Sequence, residues 1–492
     1  MVVLEKQVLK VKILNNNKQI LANYGQNLLD LLRKEGYNIA SYCGGTGQCG
    51  KCYVEVDGEK ELSCSYKICK DISVKVFEEE NIVAFSDIEL ADKYSGGELN
   101  LAIDIGTTVI SIAVLEKGQT KPVELISVNN PQIKYGIDVI SRISYAVKGG
   151  QKRLEDALIS TLNDKICDIS KKYGNAKISL VAVAANTVML HCLFKEDIAP
   201  LGTFPYTPKF LNFRKESGKK LGFECVDEVV ALPGINSFVG ADVLSGLSIL
   251  PKPSKGKYNM LIDLGTNAEL VIFGNDTYLS TSSSAGPCFE GGHISCGMTA
   301  TKGAIYSFSQ KGSIVDCKVI ESDSIESGNI KNGVLPKGLC GTGVIDVIAS
   351  LYDRGIIDKT GALKDGQNSY TLMRGIHLTQ QDIRTYQLAK AAIRAGINIL
   401  IEEMLITEKN IETVFLSGGI SSKISIDSAV KSTLIPASFY GKTQSIPNSS
   451  MLGLLNYLLT EKYLDSKEKI YYLDLASHPR FQQYFIHHIN FA

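Results

Sequence analysis

Four cysteines at Cys43-x5-Cys49-x2-Cys52-x11-Cys64 are the residues of this chain best spaced for chemistry. Four thiolates can hold a 2Fe–2S cluster, two per iron, when three lie on one tight loop and the strands that follow bring in the fourth. The loop itself, GGTGQCGK, is rich in glycine. A backbone that must bend around a cluster and aim N–H groups at its sulfurs has no room for bulky side chains. Structural zinc is the competing occupant, but four-cysteine zinc sites usually present two Cys-x2-Cys knuckles, and only one is present here. Cys69 lies five residues past Cys64 and is read as a spare or buried thiol. Gly45-x-Gly47-x-x-Gly50 matches a dinucleotide fingerprint by accident, because its last glycine sits between two cysteines and a strand-like segment follows.

A second set of residues suits phosphate. Asp104-Ile-Gly106-Thr107-Thr108 ends one apolar run and opens another. A tight glycine turn between two strands points backbone N–H groups and threonine hydroxyls into one concavity, where a phosphate can sit. The aspartate at the strand end can hold magnesium through water or orient an attacking water. Asp263-Leu-Gly265-Thr266-Asn267 repeats the pattern at an offset of 159 residues and would supply an opposite wall. Gly418-Gly419, after the apolar run TVFL, lets the backbone approach a nucleoside closely. No Walker A sequence is present, which excludes a P-loop ATPase.

These residues need elements to position them. Residues 1–80 read as a small β-rich unit, with an alternating strand at 8–14, a helical period at 27–36 and strands at 52–58 and 72–77. Residues 81–98 read as a linker. From 99 to 492 apolar strands alternate with helical segments, an α/β pattern, and the 159-residue echo predicts two similar halves. The chain has 492 residues and a net charge of zero, and it lacks a basic run, so it is not expected to bind nucleic acid. No stretch reaches the ~18 apolar residues of a membrane span, and the N-terminus alternates like a strand, unlike a signal peptide. Five of the twelve cysteines crowd into residues 43–69, a metal-site pattern in a chain expected to be cytoplasmic.

Other residues have plainer readings. His191 is expected to be a satisfied core histidine, and His487-His488 surface decoration. Cys288 and Cys296, with His293 between them, have no common metal spacing; their loop is expected at a nucleotide or partner interface. Gly341-Thr342-Gly343 is either a further phosphate turn or a helix start.

The order of the three turns resembles the actin/sugar-kinase/heat-shock-ATPase superfamily. The stretches between them, among them LPGINSFVGADVLSGL (232–247), AGPCFEGGHISCGM (285–298) and GLCGTGVIDV (338–347), resemble the reductive activators of corrinoid-dependent enzymes. That resemblance implies a small β-grasp 2Fe–2S ferredoxin domain followed by a duplicated actin-like (ribonuclease H-like) ATPase domain. Carried over by position, it implies cluster ligands at Cys43, Cys49, Cys52 and Cys64. Nucleotide residues fall at Asp104, Gly106, Thr107, Thr108, Asp263, Gly265, Thr266, Asn267, Gly418 and Gly419, with Asp104 and Asp263 as the catalytic pair. ATP, Mg2+ and a 2Fe–2S cluster are the implied cofactors. The implied partners are a corrinoid protein (a methyltransferase or a corrinoid iron–sulfur protein) and an upstream low-potential electron donor. Larger members insert a further domain where this chain has some twenty residues, which puts in question any contact made by that domain.

The implied activity returns inactive Co(II) to Co(I). A plant-type 2Fe–2S centre sits at about −400 mV, and the resemblance implies a cobalt couple lower still. Each ~59 mV uphill costs a factor of ten for one electron, and ATP can help only through differential affinity for two states. Two other readings share the residues: a redox-sensing regulatory ATPase that passes no electron, and a small-molecule kinase.

Overall fold

The computed structural model describes residues 8–37, 39, 45, 47, 52–77, 88–312, 314–321, 325–326, 334–419, 423–464 and 469–491. Cys43, Cys49 and residues 81–87 of the expected linker lie outside this set.

In the N-terminal unit, Val8–Ile13 alternates exposed and buried positions, so Leu9, Val11 and Ile13 point to one face. This strand pairs antiparallel with Gln19–Asn23 and parallel with Ile72–Lys75, and the sheet continues through Tyr53–Val56 to Glu59–Leu62. Helix Leu28–Lys34 covers the buried face. Asn27 caps it by accepting from the Asp30 N–H, and Leu28, Leu29, Leu31 and Leu32 enter the core. A sheet folded over one helix is the β-grasp arrangement.

The larger part holds two six-stranded sheets in which five strands match in order and direction, while the sixth, Arg214–Ser217 in one and Lys469–Tyr472 in the other, lies at opposite edges. In the first, Glu124–Asn129, Val109–Glu116 and Leu99–Ile105 are antiparallel neighbours, followed by Ile178–Ala185 and Val226–Ala231 in parallel and Arg214–Ser217 at the edge. In the second, Thr277–Ser283, Ala268–Gly274 and Tyr258–Leu264 take the same antiparallel places, and Ile411–Ser417 and Thr443–Ser445 follow in parallel. The central strands, Leu99–Ile105 and Tyr258–Leu264, are buried almost throughout, as a strand covered on both faces must be. Each carries its aspartate next to last. The duplication is therefore one of topology as well as of motif.

Two features join the parts. Residues 95 and 97 donate their N–H groups to the two carboxylate oxygens of buried Glu116 at 2.8 Å each, which fastens this stretch to the first half. Between the halves, helix Ser449–Thr460 crosses helix Ala241–Leu247 at small residues. A Cβ on Gly453 would lie 2.0 Å from the Ser245 carbonyl oxygen, and the Ser245 hydroxyl donates to the Ser450 carbonyl at 2.8 Å. Met451, Leu454, Leu455 and Tyr457 of that late helix belong to the core of the first half. Among the described residues no helix is long and apolar enough to cross a membrane.

Candidate functional site

The cavity of about 330 Å³ between the two halves is lined by both hairpin turns, by Gly418 and Gly419, and by Cys340 and Gly341. All ten residues assigned to the nucleotide from sequence lie on its wall: Asp104, Gly106, Thr107, Thr108, Asp263, Gly265, Thr266, Asn267, Gly418 and Gly419.

The first turn is held from behind. The Gly106 carbonyl accepts from the Asn130 side-chain amide at 2.7 Å, the Thr107 carbonyl from the Arg142 guanidinium, and the Thr108 carbonyl from the Asn130 N–H at 2.8 Å. Neither Asn130 nor Arg142 lines the cavity. Three consecutive carbonyls therefore face away from it, and peptide planarity directs the attached N–H groups the other way. Arg142 is fully buried and also donates to the Gly136 carbonyl and to Gln132. Burial pulls its guanidinium down to about 10. Gly106 has no alternative at its position, because a Cβ there would lie 2.6 Å from the Val109 carbonyl oxygen.

Five carboxylates face the same space: Asp104, Asp242, Asp263, Glu269 and Glu290. Each keeps some access to the cavity but is otherwise enclosed by protein, so burial is the first cause of an upward shift in every one. Asp242 rises to about 7 and Asp263 to about 6, and neighbouring carboxylates add to the burial effect. Asp104 is raised less freely, because Asn448 Nδ2 and Ser450 Oγ each donate to it at 2.9 Å. Glu290 joins the two halves: its Oε1 accepts from Thr108 Oγ1 at 2.8 Å and its Oε2 from Thr266 Oγ1 at 2.7 Å. Sequence reasoning passed over Asp242, Glu269, Glu290, Asn448 and Ser450. Asp242, Glu290, Asn448 and Ser450 stand in the small-residue stretches GADVLSG, CFEGG and NSS, and Glu269 follows the second turn by two residues.

The remaining assignments divide. Gly341-Thr342-Gly343 is a helix start, since Gly341 begins helix Gly341–Asp353, and Cys340 and Gly341 line the cavity. Cys288 is buried beside Glu290, which puts its loop at the cavity. His191 is a core histidine, with Nδ1 2.7 Å from the Thr187 carbonyl oxygen and Nε2 accepting from the Lys209 N–H at 2.9 Å. The expectation for His488 was wrong. It is buried, and burial, helped by nearby Arg394, His487 and Lys390, pulls its imidazole down to about 3.

Of the cysteine set, Cys52 and Cys64 are described, and both are buried. The Ser63 N–H and hydroxyl both donate to the Cys52 carbonyl, at 2.9 and 2.7 Å, and the Asn27 side-chain amide donates to the Cys64 carbonyl at 2.7 Å. The strand ends thus hold both thiol-bearing residues at the helix N-terminus. Gly45 has φ +92°, and a Cβ there would meet Leu29 at 3.5 Å and the Cys64 Cβ at 3.9 Å. Gly45 thus lies beside Cys64, and its left-handed backbone is what favours glycine there. Cys69 is exposed, so of its two readings the buried one fails.

Known families match three stretches of the chain. Residues 11–71 match the 2Fe-2S iron-sulfur cluster binding domain, residues 99–250 the RACo middle region, and residues 257–492 the C-terminal domain of RACo, the ASKHA domain. The corrinoid activation enzyme RamQ of Eubacterium limosum is 28% identical over 421 residues, 77% of this chain and 68% of that protein. A protein of Methanosarcina barkeri, described as [Co(II) methylated amine-specific corrinoid protein] reductase, is 24% identical over 391 residues, 74% of this chain and 70% of its own length. A solved structure described as a reductive activator for corrinoid, iron-sulfur protein has the same fold, with a TM-score of 0.70, 24% identity and coverage of 98% of both chains. With these three domains in this order, the chain belongs to the RACo family of reductive activators.

Proposed function

We propose that this chain is an ATP-dependent reductive activator that delivers an electron to a corrinoid protein and converts inactive Co(II) to Co(I). The observation that carries the reading is the cavity lined by one hairpin turn from each half, on the same chain as a cysteine-bearing β-grasp unit. The units we assign are residues 1–80 for the cluster domain, 81–98 for the linker and 99–492 for the ATPase. Cys43, Cys49, Cys52 and Cys64 would hold the cluster, which supplies one-electron transfer when bound.

The residues of the cavity account for the nucleotide. Gly106 to Thr108 and Gly265 to Asn267 offer hydroxyls and N–H groups to phosphate oxygens, and Gly418-Gly419 leaves room for the nucleoside. Asp104, held by Asn448 and Ser450, and Asp263, bonded to Ser417, are placed to orient water or magnesium-bound water. Among the described residues no three His, Cys, Asp or Glu side chains form a cage for an ion. Mg2+ needs none, since one or two carboxylates, phosphate oxygens and water complete its octahedron. Five enclosed carboxylates beside a polyphosphate also favour such a cation.

ATP acts here by binding one arrangement of the halves more tightly than another, which alters docking to the corrinoid protein. We assign the upstream donor to the class of low-potential electron carriers and the location to the cytoplasm. The test is anaerobic: reduced protein is mixed with Co(II) corrinoid proteins, and the visible spectrum is followed for Co(I), with and without ATP. ATP-dependent Co(I) is the expected result. Redox-dependent binding of the corrinoid protein without Co(I) would favour the sensor reading.

A further inference from the structure

Glu290 holds the two hydroxyls that a phosphate in the cradle would use. Its carboxylate accepts from Thr108 Oγ1 at 2.8 Å and from Thr266 Oγ1 at 2.7 Å, one residue from each hairpin turn. Thr108 and Thr266 are otherwise buried and meet the cavity at its wall.

A threonine hydroxyl has one proton to donate. It cannot give that proton to the Glu290 carboxylate and to a phosphate oxygen together. Two anions on the same pair of hydroxyls would also repel each other across an enclosed site. Resting on the nucleotide reading above, we propose that Glu290 occupies the phosphate seat of the nucleotide-free chain and is exchanged for a phosphate of the incoming nucleotide. It is thus a specificity-determining residue, set against ligands that bring no charge able to displace it.

The surroundings say which part must move. Gly291, the next residue, has φ +77°, and a Cβ on it would lie 2.2 Å from the Met298 carbonyl oxygen. A Cβ on Gly341 would lie 1.7 Å from the Phe289 carbonyl oxygen. The backbone on both sides of Glu290 is therefore wedged, and the exchange falls first to the side chain. Arg142, whose charge favours the ionised Glu290, is already committed to Thr107, Gly136 and Gln132. Arg142 is therefore not free to follow a displaced carboxylate, so displacement costs affinity.

The experiment measures binding of adenosine and of a magnesium-loaded, non-hydrolysable ATP analogue to wild type, Glu290→Gln and Glu290→Ala. The glutamine variant keeps the shape and removes the charge, so folding is preserved even if the alanine variant is impaired. Expected is an affinity of Glu290→Gln for the ATP analogue about tenfold above wild type, one decade in Kd, with adenosine unchanged. Equal or weaker binding of the analogue would overturn the exchange and make Glu290 a bystander or a ligand of the nucleotide. Equal tightening of adenosine would overturn it too, since the effect would not involve phosphate. Wild type that bound neither ligand would instead sink the nucleotide reading, and the exchange with it.

Discussion

Asn448 donates its side-chain amide to Asp104 at 2.9 Å across 344 residues of sequence. Ser450, two residues on, donates to the other carboxylate oxygen at the same distance. The residue that closes the first hairpin is thus held by the start of a helix near the other end of the chain. Removing both donors leaves an enclosed carboxylate uncompensated, at a cost of about 1–3 kcal/mol for each charged hydrogen bond. The double variant Asn448→Ala/Ser450→Ala is expected to lose stability of that order in urea denaturation and to bind nucleotide more weakly.

The cluster and the nucleotide are served by separate residues, so their losses separate. Cys52→Ser is expected to abolish the visible absorption of the cluster and Co(I) formation while nucleotide still binds. Asp104→Ala is expected to lose nucleotide affinity with cluster absorption intact. Unimpaired Co(I) formation by Cys52→Ser would refute the electron path.

Asp242 provides a pH test. Its folded pKa is raised from 3.8 to about 7, by burial first and then by the charges of Asp104 and Asp263. The folded state therefore binds more protons than the unfolded chain between those values, and this group's contribution to stability falls as pH rises through them. Asp242→Asn removes the dependence. Its stability relative to wild type is expected to climb from pH 3.8 to about 7 and to level off above, measured by denaturation at each pH without nucleotide. A flat difference would show that Asp242 titrates normally.

Gly418 has φ +106°, and a Cβ on it would lie 2.1 Å from the Leu264 carbonyl oxygen. Gly418→Ala must push the third turn away from the second and strain its backbone, a cost of about 1–3 kcal/mol. The expected result is a lower melting temperature together with weaker binding of adenosine, which has no phosphate to compensate.

What could be read from sequence was whatever is local. Asp104-x-Gly106-Thr107 and Asp263-x-Gly265-Thr266 announced themselves because a tight hairpin turn dictates its own residue types, and their repeat disclosed the duplication. The cysteine loop was legible for the same reason. Glu290 was not, because a carboxylate bridging Thr108 and Thr266 leaves no mark on its own neighbours. Asn448 and Ser450 looked like an ordinary polar stretch. His488 misled because the helix Phe481–His487 is too short for its period to show which side is covered.

The helix Ser449–Thr460 has a consequence for how the protein is made. Met451, Leu454, Leu455 and Tyr457 complete a core whose other members begin at Leu99. On a translating ribosome the first half must wait, with an apolar seam uncovered, until nearly the whole chain has emerged. Long-range closure of this kind is slow and exposed to aggregation. The nascent chain is thus a natural client for chaperones, and a fragment ending before residue 449 would carry that open seam permanently.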